Sequence, residues 1–86
     1  MSEQQIIEIV YQVMKLVMDI ERYQRRTETP SVKRELKRLR SNLTRTRKKL
    51  MGISLAEINQ YKEPALKRLV QEDPQRYSLR EGFRFS

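Results

Sequence analysis

Two apolar seams of matching rhythm, divided by a short break, constrain this 86-residue chain more than any other feature. Ile6, Val10, Val13, Val17 and Ile20 recur at spacings of 4, 3, 4 and 3. Val32, Leu36, Leu39, Leu43, Thr46 and Leu50 repeat the same spacings after the break Thr27-Glu28-Thr29-Pro30. Alternating steps of 3 and 4 place residues on one stripe of an α-helix. If residues pair so that their numbers sum to 56, Ile20 meets Leu36, Val17 meets Leu39, Val13 meets Leu43, Val10 meets Thr46 and Ile6 meets Leu50. Five successive positions then match without a slip, as an antiparallel pair joined by a short loop requires. The expected fold is therefore all-α, an antiparallel helical hairpin of two long helices plus one or two short C-terminal helices.

Local signals give the expected limits. Ser2 can cap the first helix, with Glu3 in its first turn, and the helix should run to about Arg25. Thr29 followed by Pro30 is a good start for the second, which should reach about Met51. Gly52 stands where a residue ending a helix belongs, and Ile53 is the apolar residue that usually follows it. Ser54-Leu55-Ala56-Glu57 has the form of a capping box, opening a third helix that includes Ile58 and Tyr61. Pro64 should mark a fresh start after Glu63. Ala65, Leu66, Leu69 and Val70 then suit a short fourth helix ending near Glu72, and Asp73-Pro74 begins one more turn. Residues 1–86 read as a single helical domain, with 77–86 as a tail that is either flexible or packed back through Tyr77, Phe83 and Phe85.

The run Leu50 to Ile58 resembles a short stretch that joins two helices in MerR-type regulators. The likeness covers nine residues. No winged DNA-reading unit precedes it in this sequence, and Lys48 stands where that family packs a small residue. The run is read as capping chemistry held in common.

The first helix is apolar over more than half of its circumference, which exceeds what one partner helix can cover. Outside the seam it carries Ile7, Ile9, Tyr11, Met14, Leu16 and Met18. These residues predict an interface, shared between the C-terminal segment and a second copy of the chain, with a homodimer favoured. An 86-residue chain buries a modest fraction of its surface, so association is a common remedy.

Charge is as unevenly placed as apolarity. Between Ser31 and Leu50, nine residues are Lys or Arg and only Glu35 is acidic, so this stretch carries the whole net charge of +8. Ten basic and ten acidic residues balance in the remainder. Charge this concentrated repels itself and destabilises the compact state unless a polyanion relieves it. Around the second helix, Arg34, Lys37, Ser41, Arg45 and Lys48 fall on one line opposite the leucines, flanked by Arg38 and Lys49 on one side and by Lys33, Arg40 and Arg47 on the other. Arg34, Lys37, Arg38, Ser41, Arg45, Lys48 and Lys49 are the candidate nucleic-acid-binding residues. Their long side chains suit a phosphate backbone, and no pattern for reading bases is evident.

Two functions follow as expectations. The first is a small, basic, accessory or regulatory protein that contacts DNA or RNA through its second helix. The alternative is an adaptor that uses helix one and the tail, with the basic helix docked on an acidic protein surface. Catalysis has little support, and no enzyme activity is expected. There is no His or Cys, and the two glycines, Gly52 and Gly82, build no phosphate loop. No cofactor, metal or small-molecule substrate is expected. The apolar stretch of the first helix is broken by Glu8, Lys15 and Asp19, which argues against a membrane span and a signal peptide. The expected location is the cytoplasm, or the nucleus in a eukaryote.

Overall fold

The computed structural model describes residues 2–26 and 29–74. The expected limits of the tail and the residues Thr27 and Glu28 of the break lie outside the described residues. Four helices follow in order: α1 (Glu3–Gln24), α2 (Pro30–Lys48), α3 (Leu55–Gln60) and α4 (Lys62–Glu72). The fold is all-α, with α1 and α2 packed together as a hairpin and two short helices after them.

Three of the four starts have a side-chain cap, and α4 has none. The Ser2 backbone N–H donates to Gln5 Oε1 at 2.8 Å, and the Gln5 N–H donates to Ser2 Oγ at 3.3 Å. This reciprocal box satisfies two donors that the first turn would otherwise leave open. Thr29 Oγ1 accepts from the Val32 N–H at 3.2 Å, and Pro30 follows where a missing N–H costs nothing. Ser54 Oγ accepts from the Glu57 N–H at 3.2 Å to open α3. α4 begins at Lys62, two residues before Pro64, and not after Glu63 as the sequence suggested. The first four N–H groups of a helix have no partner within it, so proline is accommodated anywhere in that turn.

α2 ends at Lys48, three residues short of the expected limit. The chain tightens there: the N–H groups of Lys49, Leu50 and Met51 donate to the carbonyls three residues back, at 3.1, 3.0 and 3.2 Å. Gly52 then turns the backbone with φ +91°, and a Cβ added at this position would meet nothing within 4 Å. Gly52→Ala is therefore opposed by backbone conformation alone. The expected loss is about 1–2 kcal/mol in a denaturant melt, with an unchanged m-value.

Both seams are packed into two apolar clusters, and the outermost pairs, Ile20 with Leu36 and Ile6 with Leu50, each share one. Ile20, Leu36 and Leu39 form one buried cluster near the loop. Ile6, Val10, Val13 and Leu50 belong to a second cluster at the open end of the hairpin. Leu43 packs against both and joins them. Thr46 is buried in the stripe, and its hydroxyl donates to the Asn42 carbonyl at 2.7 Å, so the polar group costs little in the core.

The other side of α1 is covered by α4. Met14, Ala65 and Leu69 are fully buried there, and Ile58 of α3 joins the same cluster. Burying a leucine- or methionine-sized side chain contributes about 1.5–3 kcal/mol. Tyr11 and Met14, expected at an interface between copies, are thus interior residues of one chain. Ile7, Ile9, Leu16 and Met18 are only partly buried. The two short helices cover the centre of the surplus apolar face and leave its margins.

A polar clasp fixes α4 on α1. Tyr11 Oη donates to the Glu72 carboxylate, and the Arg68 guanidinium pairs with Glu8. That guanidinium also lies 4.3 Å from the centroid of the Tyr11 ring, a cation–π distance. Burial first, then the hydrogen bond to Glu72, pushes the Tyr11 phenol up to about 12. Its folded value is raised above the ordinary 10, so its contribution to stability is complete below pH 10 and is lost as the pH rises through about 12. Thermal melts of the protein and of Tyr11→Phe should differ by a constant amount from neutral pH to pH 10. The difference should shrink between pH 10 and 12.

Candidate functional site

Helix α2 has one substantial helical neighbour among the described residues, which is α1. Its buried side chains are Leu36, Leu39 and Thr46, all on the stripe facing α1. Every Lys and Arg from Lys33 to Lys49 is exposed. The narrow apolar stripe causes this directly: the remaining surface of the helix has nothing to bury, so its cations stay in water.

The structure brings Arg34, Lys37, Ser41, Arg45 and Lys48 onto the outer line of α2, as expected from their spacing. At 1.5 Å per residue the line from Arg34 to Lys48 is about 21 Å long. Two shallow grooves run beside it. One is lined by Lys33, Leu36, Lys37, Arg40, Ser41 and Thr44. The other lies against α1 and is lined by Gln12, Lys15, Leu16, Asn42, Arg45, Thr46 and Lys49. Cations therefore bound the ridge on both flanks, and Lys15 adds one from α1.

Internal neutralisation is slight. Among the described residues, no carboxylate is in ion-pair range of Arg34, Lys37, Arg40, Arg45, Arg47, Lys48 or Lys49. Arg45 donates to the side-chain carbonyl of Asn42 one turn earlier, which orients the guanidinium without changing its charge. Arg38 differs from the other candidates. It pairs with Glu35 in its own helix through two hydrogen bonds, one from Nε at 3.2 Å. The hydrogen bond from Arg38 holds the Glu35 carboxyl below its usual range. Glu35 in turn raises Arg38, and Tyr23 and Asp19 of α1 add to the effect. Exposed pairs of this kind are weak, and a phosphate can displace the carboxylate.

Asp19 is the residue that periodicity missed. It is 7% exposed, on the side of α1 that influences Arg38. A charged residue off the seam gives no sign of burial in the sequence, which shows only that it interrupts an apolar stretch. Two more surprises follow α2, because Met51 in the turn and Leu55 at the start of α3 are 78% and 65% exposed.

The described residues hold no cluster of three or more His, Cys, Asp or Glu able to bind a metal ion. No described helix is long and apolar enough to cross a membrane. The chain matches no protein-family model, and neither curated proteins nor solved structures yield a significant match.

Proposed function

We propose that this protein binds nucleic acid through α2 in an accessory or regulatory role, with Arg34, Lys37, Ser41, Arg45, Lys48 and Lys49 on phosphates and Arg38 joining once Glu35 is displaced. The observation that carries the reading is a helix whose cations are exposed along its length and, Lys33 and Arg38 apart, meet no ion-pairing carboxylate among the described residues. A solvated face normally mixes signs for solubility. Here the fold tolerates repulsion that a polyphosphate removes, and release of condensed counterions supplies the affinity. Ser41 adds a neutral donor at the middle of the line.

The test is a titration of random duplex DNA, single strands and structured RNA across a salt series. Binding is expected to fall steeply and linearly on a log–log plot. Absence of binding to all three at low salt would transfer the function to the alternative, an adaptor docking on an acidic protein. That reading draws on the margins of α1, where Ile9 and Leu16 remain partly exposed.

A further inference from the structure

Resting on that reading, we infer that the ligand is duplex DNA in the B form and that α2 lies in its major groove. Three rows of cations surround the helix. Arg40 and Arg47 occupy one flank, Arg34, Lys37, Arg45 and Lys48 the outer line, and Lys49 the other flank, where Arg45 at the edge of the line shares its groove. At 3.6 residues per turn, these rows span about 200° of the circumference, all but the apolar stripe and its edges. A flat anionic surface reaches one row and leaves the flanks without partners. A ligand that satisfies all three must rise on both sides of the helix.

The major groove of B-form DNA has that shape. It is about 12 Å wide and 8.5 Å deep, against a helix diameter of about 10–12 Å, and its two walls are phosphate backbones. The position of α2 in the fold makes the entry feasible. α1 is its one substantial neighbour among the described residues, and packed helices sit about 8–10 Å apart, so α2 can enter to the full depth while α1 stays outside the walls. The walls then meet Arg40 and Arg47 on one side and Arg45 and Lys49 on the other. Duplex RNA offers no such seat, because its major groove is deep and too narrow for side chains to read.

Fluorescence anisotropy at one ionic strength would compare a 20-base-pair mixed-sequence DNA duplex with the RNA duplex of the same sequence and with each single strand. The DNA duplex should bind at least tenfold more tightly than the other three. Guanine N7 faces the major groove, so dimethyl sulfate methylation there should be blocked at saturation. The pairs Arg40→Gln with Arg47→Gln, and Arg45→Gln with Lys49→Gln, test the two walls separately. Each pair should reduce the salt slope by about 1.8 units. Equal or tighter binding of RNA or of a single strand, unprotected N7, or a flank pair with no effect would overturn the groove assignment while leaving nucleic-acid binding intact. Failure to bind any nucleic acid would overturn both.

Discussion

Replacing Arg34, Lys37, Arg45 and Lys48 together by glutamine is expected to abolish most of the affinity for DNA while leaving the protein folded. Each phosphate contact contributes about 0.9 to the slope of log K against log salt on B-form DNA, so four lost contacts flatten it by about 3.6. At about 0.1 M salt this amounts to a loss of three orders of magnitude or more. All four side chains are exposed and outside both core clusters. Removing four like charges also relieves repulsion along the helix, so the melting temperature should hold or rise. This pairing of outcomes separates a binding surface from a structural one. A variant that binds as well as the parent protein would sink the reading. A variant that loses binding together with its fold would mean that the ridge stabilises the helix itself.

Leu69→Ala is expected to be the most damaging conservative change in the core. Leu69 is fully buried on α4, in the same cluster as Val10, Tyr11, Val13 and Met14 of α1. Truncation of such a leucine costs about 2–5 kcal/mol through lost transfer energy and the cavity left behind. A domain of this size has about 5–15 kcal/mol in total. The melting temperature should therefore fall by more than about 10 °C. Leu55→Ala supplies the control. Leu55 is 65% exposed, and its truncation should stay within about 0.5 kcal/mol of the parent. A loss at Leu69 no larger than at Leu55 would show that α4 does not complete the core.

The hairpin was legible because its signal is redundant. Two seams with identical spacings admit one register without a slip, and the clusters joining Ile20 to Leu36 and Ile6 to Leu50 obey it. The cationic face was legible for a related reason, since a helix with one narrow apolar stripe has only one way to face its partner. The role of α4 was harder to read. Ala65, Leu66, Leu69 and Val70 show that a short helix has an apolar side, but four residues do not reveal which part of α1 it will cover. Spacing alone therefore leaves Tyr11 and Met14 to an interface between copies, whereas the α4 side chains reach them within one chain. The buried position of Asp19 and the pairing of Arg38 with Glu35 depend on rotamers and on helix approach, which spacing does not encode.

The clasp between α1 and α4 bears on how the chain reaches its native state. Tyr11 and Glu72 are 61 positions apart, and Glu8 and Arg68 are 60 apart. The hairpin, by contrast, closes across a link of a few residues. Because ring-closure entropy grows with the length enclosed, the two long helices should zip first, and return of the C-terminal helix should be the late, slow event. The early species would display the oily back of α1 to solvent until that return. Crowded or concentrated solutions would tend to capture it there as aggregates, so dilution during refolding should raise the yield.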